Sequence, residues 1–146
     1  MEIKIRDLEL HDYDKEYLQL LSQLSVINVE KISRHAFSDF TMKLHPNHQI
    51  KVIEDTSKKI IIATATLIIE QKLIHDMKCV AHVEDVVIHE DYRGLGLGKK
   101  IIDHLVQISR NQNCYKTLLD CSQENTLFYE KCGFKKNCEC MSIYFI

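Results

Sequence analysis

The segment Arg93-Gly94-Leu95-Gly96-Leu97-Gly98-Lys99 puts three of the chain's four glycines within five residues, between two cations. Glycine near a helix start costs about 1 kcal/mol relative to alanine, so a cluster of three needs a reason. Backbone stripped of side chains lets N–H groups approach an anion closely, and the positive end of a helix attracts one. Upstream, from His82 onward, the β-branched Val83, Val86, Val87 and Ile88 predict a strand. Downstream, Ile101, Ile102, Leu105 and Ile108 share one helix face. Strand, glycine-rich turn and helix together make a phosphate cradle. A dinucleotide-binding turn requires glycine where Lys99 stands, and a P-loop requires Gly at 93 and Ser or Thr at 100, where Arg93 and Lys100 stand. A glycine-rich turn with no ligand is the alternative.

The bulk properties bound the rest. A chain of 146 residues suits one domain with one substantial core. Nineteen basic against 21 acidic residues leave no field that would draw nucleic acid or an anionic membrane, so an anionic ligand must be held locally. The uncharged run Ile60 to Ile69 is too short to span a bilayer. Met1-Glu2-Ile3-Lys4 lacks the apolar core of a signal peptide, so a cytoplasmic location is expected. The six cysteines form no Cys-x-x-Cys pair, and Cys138-x-Cys140 has no second pair to complete a zinc site. Buried free thiols and no metal are expected. His35, His45 and His48 read as surface residues.

Taken in order, Ile3 to Arg6 alternates as a first strand. Asp12 can cap a helix with the stripe Tyr13, Tyr17, Leu20, Leu21 and Leu24. Asn28 can cap a second, with Val29, Ile32, Ala36, Phe37 and Phe40 facing inward. Ser25-Val26-Ile27 between them is a pocket-lining loop or a plain turn. Gln49 to Glu54 and Ile60 to Ile69 read as a hairpin across Asp55-Thr-Ser-Lys58, and Glu70 to Lys78 breaks the pattern. Tyr115 to Cys121 predicts a buried strand. Ser122 can cap a helix ending at Gly133, and Lys136 to Ile146 a final strand. Strands and helices alternate about a central sheet in a single α/β domain, residues 1–146.

Arg93-x-x-Gly96-x-Gly98 resembles the pyrophosphate-binding motif of the Gcn5-related N-acetyltransferases (GNAT), and Asn125-x-x-Phe128-Tyr129-x-x-x-Gly133-Phe134 resembles that superfamily's segment over the thioester end of the coenzyme. More narrowly, His82-Val-Glu-Asp-Val-Val, Cys114-Tyr-Lys, Leu119-Asp-Cys121, Phe128-Tyr-Glu-Lys-Cys-Gly-Phe134 and Glu70-Gln-Lys-Leu-Ile-His75 are similar to the glucosamine-6-phosphate N-acetyltransferase family. The resemblance covers essentially the whole chain. It implies the GNAT fold, a mixed and mostly antiparallel central sheet flanked by about four helices. It also implies a cytosolic homodimer with shared active sites, acetyl-CoA as co-substrate and glucosamine 6-phosphate as acceptor, on the route to UDP-N-acetylglucosamine.

On that resemblance Arg93, Gly94, Leu95, Gly96, Leu97, Gly98 and Lys99 would hold the pyrophosphate. Glu84, Asp85 and Val86 would pair with the pantetheine arm, and Asn125, Tyr129 and Lys131 would close over it. Glu84 and the backbone carbonyl of Asp120 would guide the proton from the amine, and Tyr129 would serve the leaving thiolate. Lys72, Leu73, Ile74 and His75, contributed across the dimer, would bind the sugar phosphate with Ser25, Tyr115, Lys116, Glu84 and Asp120. Family members place an arginine near the chain end. Here Tyr144 stands roughly there, with Lys135 and Lys136 the available cations. Two other readings stay open. An acetyltransferase for a lysine or a protein N-terminus would have an open, acidic groove. An acetyl-CoA-binding module without catalysis would be expected to lack Glu84 or Tyr129.

Overall fold

The computed structural model describes residues 1–146. Five strands form one sheet in the order β1 (Ile3–Asp7), β2 (His48–Asp55), β3 (Ile60–Gln71), β4 (Cys79–Ile88) and β5 (Cys114–Leu118). The first four run antiparallel to their neighbours, and β5 lies parallel to β4. The mixed sheet is the one expected. β3, at the centre, is buried along most of its length, which explains why its sequence reads as a continuous β-branched run without clean alternation.

The helices are α1 (Tyr17–Ser22), α2 (Arg34–Met42), α3 (Ile74–Met77), α4 (Leu97–Asn111) and α5 (Thr126–Lys131). α4 lays Leu97, Ile101, Ile102 and Leu105 against Ile62, Ala65, Leu67, Ala81 and Val83. On the opposite sheet face Tyr17, Leu18, Leu20 and Phe37 of α1 and α2 cover Val52, Ile61 and Val87. A chain crossing from β4 to a parallel β5 needs a connection long enough to return along the sheet, and α4 supplies it.

Several local expectations change. Asp12 does not open a long helix, although its carboxylate accepts from the Glu9 amide at 2.8 Å in the capping box of a short turn. It sits inside a 3-10 turn, Leu10–Asp14, fully buried, and accepts from both terminal nitrogens of Arg6 at 2.7 Å. Glu54 accepts from Arg6 Nε at 3.0 Å and from Lys15 at 2.5 Å, so the two buried carboxylates are paired with cations. Glu16, in the left-handed conformation (φ 61°), separates that turn from α1. Ser33, not Asn28, caps α2, its hydroxyl accepting from the Ala36 amide at 3.1 Å, and a 3-10 turn (Val29–Lys31) fills the gap.

β3 extends to Gln71, and α3 is a single turn with His75, Asp76 and Met77 all at positive φ (52°, 58° and 62°). Three consecutive non-glycine residues in that region are strained. β5 ends at Leu118, short of the expected Cys121. Residues 136–146 form no strand with the rest of the chain: Met141, Ile143, Tyr144, Phe145 and Ile146 are exposed. A strand requires a partner edge, and one chain does not supply it there. The cysteines also depart from expectation. Cys121, Cys138 and Cys140 are exposed, and Cys79, Cys114 and Cys132 are half-buried.

Candidate active site

β4 runs to Ile88, yet its pairing with β5 ends at His82 opposite Leu118. Beyond that point the two strands part, and β4 presents an open edge from Val83 to Ile88. Within this edge Thr66 of β3 pairs with Glu84 and Thr64 with Val87, so Asp85 and Val86 together oppose Ala65. The bulge puts Asp85 in the left-handed conformation (φ 50°) and exposes it, while Glu84 stays half-buried. Burial pushes the Glu84 carboxyl above its ordinary value. Asp120 and Asp85 push it the same way, and His82 acts against them.

After β4, a 3-10 turn (Glu90–Tyr92) leads into the glycine-rich loop. Tyr92 donates to the buried Asp55 at 3.1 Å, which anchors the loop's entry to the β2–β3 hairpin. Arg93 Nε donates to the Ile88 carbonyl at 3.1 Å. Gly94 and Gly96 have φ of 78° and 77°, the region that favours glycine. Gly96 caps α4, so the first-turn amides of a fifteen-residue helix, Leu97 to Lys99, point out of the helix end without intrahelical acceptors. Lys99 reaches forward to Asp103 at 2.5 Å. Gly98 has a different reason for being glycine: a Cβ there would lie 3.0 Å from Phe128 Cζ. The two motifs pack directly on each other.

α5 carries Tyr129, its ring against Phe128 (centroids 4.9 Å apart) and Phe134 (6.0 Å). Burial first, then Cys121, Cys132 and Asp120, push the Tyr129 hydroxyl up to about 12. Asp120, which follows the end of β5, pushes up the pKa of both Glu84 on β4 and Tyr129 on α5. Asn125, which donates to Ser122 Oγ at 3.1 Å, and the exposed Lys131 mark the two ends of α5. Gly133 ends it at φ 94°, the expected left-handed stop.

A second cluster lies at the far end of β3. Lys72 is ion-paired with Glu70, which raises the lysine's pKa, and Glu70 also bonds His82 at 2.7 Å. His75 stacks on Tyr115 of the same chain with ring centroids 4.0 Å apart, and Lys116 lies 5.6 Å over that ring. Leu73 and Ile74 are exposed. Ser25 is not drawn into the cluster by a hydrogen bond. It sits in the exposed loop Ser22–Ile27, which lines a cleft and is tied to the β4–α4 connection where Gln23 accepts from the Glu90 amide at 2.9 Å.

The site thus consists of a glycine-rich helix start, an open strand edge beside it, and Glu84 and Tyr129, both under the influence of Asp120. The model of the GNAT family of acetyltransferases matches residues 5–134, and the chain belongs to that family, whose members take acetyl-CoA as co-substrate. A glucosamine 6-phosphate N-acetyltransferase of Arabidopsis thaliana is 39% identical over 145 residues, covering 97% of this chain and 96% of that protein. The crystal structure of glucosamine-6-phosphate N-acetyltransferase from Arabidopsis thaliana matches with a TM-score of 0.95 at 37% identity, covering 100% of both chains. An acetyltransferase structure from Trypanosoma brucei matches with a TM-score of 0.92 at 33% identity, covering 99% of this chain and 100% of that one.

Sequence reasoning missed the Asp85 bulge, the Glu70–His82 bond and the Gly98–Phe128 contact. Only the last left a signal, a glycine beyond the two that the turn's positive φ requires. Gly98→Ala is therefore expected to displace Phe128 and, with it, Tyr129. In steady-state kinetics with acetyl-CoA it should lower kcat about tenfold, since small misplacements of reacting groups are costly. An unchanged kcat would show that Phe128 yields without moving its neighbour.

Proposed function

We infer that this chain is a glucosamine 6-phosphate N-acetyltransferase, moving the acetyl group of acetyl-CoA to the 2-amino group of D-glucosamine 6-phosphate. The carrying observation is the opening between β4 and β5, at the end of the strand that leads into the glycine-rich helix start, in a chain similar along almost its whole length to proteins of that name. The pyrophosphate sits on the amides of residues 94–99, with Arg93 and Lys99 adding charge. The pantetheine arm pairs with the open β4 edge, which brings the thioester to the bulge. There the backbone N–H of Val86 can stabilise the oxygen that gains charge.

The substrate amine reaches the site as an ammonium and must lose a proton before its nitrogen attacks the thioester carbon. Glu84, directly or through water, takes that proton, and the Asp120 carbonyl guides it by accepting a hydrogen bond from the amine. Attack leaves the nitrogen with one proton more than the amide keeps; the carbon–sulfur bond then breaks, Tyr129 gives its proton to the departing thiolate, and the proton shed by the nitrogen restores the phenol. A phenol with a pKa near 12 is protonated at neutral pH, as an acid must be. Holding two reactants in line can itself contribute roughly 7–11 kcal/mol, so neither group has to be strong. Cys121 is exposed near this centre but carries no step, because the amine attacks the thioester directly.

Lys72 and His75, with Tyr115, Lys116, Ser25 and the backbone of Leu73 and Ile74, bind the sugar phosphate. Lys135 and Lys136 are the cations nearest the chain end that can stand in for the arginine of relatives. We also propose a homodimer. β5 has one unpaired edge, and the apolar tail 136–146 lies uncovered together with Leu73, Ile74 and Met77. A second copy would cover all three. Deleting residues 137–146 should convert the dimer to a monomer in light scattering and reduce activity; an intact dimer would refute the arrangement. Six free thiols fit a reducing cytoplasm, and no helix is long and apolar enough to cross a membrane. The product would feed UDP-N-acetylglucosamine synthesis.

Acceptor choice is tested by thiol release from acetyl-CoA offered glucosamine 6-phosphate, glucosamine or a lysine peptide. Release confined to the sugar phosphate is expected. Release with the peptide would keep the family and donor and replace the acceptor.

A further inference from the structure

Glu70, near the end of β3, joins two groups that the substrate reading keeps apart. Its Oε1 holds Lys72 Nζ in an ion pair, and its Oε2 lies 2.7 Å from His82 Nε2. The register sets Thr66, Ile68 and Glu70 of β3 opposite Glu84, His82 and Val80 of β4, so Glu70, His82 and Glu84 project from one face of the sheet. His82 and Glu84 are next neighbours on that face, about 7 Å apart along the strand. His82 is also the last β4 residue paired with β5, directly where the two strands part.

Packing alone does not call for this arrangement. The side chains of Glu70 and His82 are 42% and 27% exposed, so neither fills a void in the core. The charged and titratable groups around them come from every neighbouring element. Asp85 lies on β4, Lys72 follows β3, Lys116 lies on β5 opposite Val80, Asp120 follows β5, and Tyr17 of α1 feels the charge of Asp85. Of the groups acting on Glu84, Asp120 and Asp85 favour the protonated acid and His82 favours the carboxylate. Glu70, for its part, is held below the usual carboxylate range by Lys72 and His82.

We propose that Glu70 and His82 are positioning residues for Glu84: Glu70 fixes the imidazole ring on the sheet face, and the ring stands beside the carboxylate that guides the amine proton away. The proposal rests on the reading of Glu84 as that proton acceptor. Burial and two acidic neighbours disfavour the Glu84 carboxylate, and the imidazole of His82, held against Glu70 and next to Glu84 on the sheet face, acts in the opposite sense.

The test is the pH profile of kcat/KM for glucosamine 6-phosphate in His82→Asn and Glu70→Gln, beside Glu84→Gln and the unaltered enzyme, with thermal unfolding recorded for each. His82→Asn and Glu70→Gln should lower kcat/KM about tenfold, a part of what general-base catalysis contributes. Both should also move the acid limb to higher pH and leave the KM for acetyl-CoA unchanged. Glu70→Gln additionally frees Lys72, so its KM for the sugar phosphate should rise, whereas that of His82→Asn should not. An unmoved acid limb in both variants, with Glu84→Gln abolishing the limb, would overturn the proposal while leaving Glu84 its role. A limb that survives in Glu84→Gln would overturn the reading of Glu84 and the proposal with it. Lost activity with lower thermal stability and an unmoved limb would mark the pair as structural and overturn it too.

Discussion

Replacing Tyr129 by phenylalanine is expected to lower kcat by about 10²–10³-fold, the scale of a lost general acid, with little change in the KM for acetyl-CoA. The ring stays, so its contacts with Phe128 and Phe134 survive, and only the hydroxyl is removed. In the proposed role that hydroxyl acts on the sulfur only as the bond breaks, so its loss falls on turnover and spares ground-state binding. Because its pKa is pushed up to about 12, the phenol remains protonated through the neutral and mildly alkaline range. Turnover should therefore show no decline attributable to Tyr129 below roughly pH 11. Steady-state kinetics across pH checks both halves. Full activity in the variant would return Tyr129 to the status of a packed aromatic.

Glu84→Gln should lower kcat/KM for glucosamine 6-phosphate by about 10²-fold and erase the acid limb of the profile. In the proposed role the carboxylate is the working form, and burial, Asp120 and Asp85 raise its pKa. Activity is thus present above the raised pKa and is lost as pH falls through it. The loss begins at a higher pH than an unperturbed glutamate would give. In the glutamine variant no proton is bound or released there, so the remaining slow rate should not vary with that ionisation. A variant that keeps the limb would assign it to another group.

Much of this was legible in the sequence because it follows from local chemistry. The glycine cluster, the apolar stripe of α4 and the left-handed stop at Gly133 each depend on residues within a few positions. The central strand β3 was legible because burial on both faces leaves a continuous β-branched run. The features that sequence did not yield depend on pairing. Which residue bulges is a property of register, and Asp85 carries no mark of it until Thr66 is set opposite Glu84 and Thr64 opposite Val87. Asn28 and Ser33 are both able caps, and the fold used Ser33. Asp12 looked like a cap because its type suits one, but Arg6 pairs with it in the interior. The tail from Lys136 reads as a strand, but it pairs with no strand of its own chain's sheet. Glu70 and His82 meet because antiparallel strands bring positions twelve residues apart side by side.

In the proposed mechanism the acetyl group passes directly from acetyl-CoA to the sugar amine, guided by Glu84 and Tyr129. The most direct test mixes the enzyme with acetyl-CoA alone and adds glucosamine 6-phosphate afterwards, following free thiol, intact protein mass and sugar product together. Direct transfer gives no thiol and no mass change before the acceptor arrives, then one N-acetylated sugar phosphate for each thiol released. Thiol release with an acetylated protein before the acceptor is added, or no sugar product after it, would contradict the account.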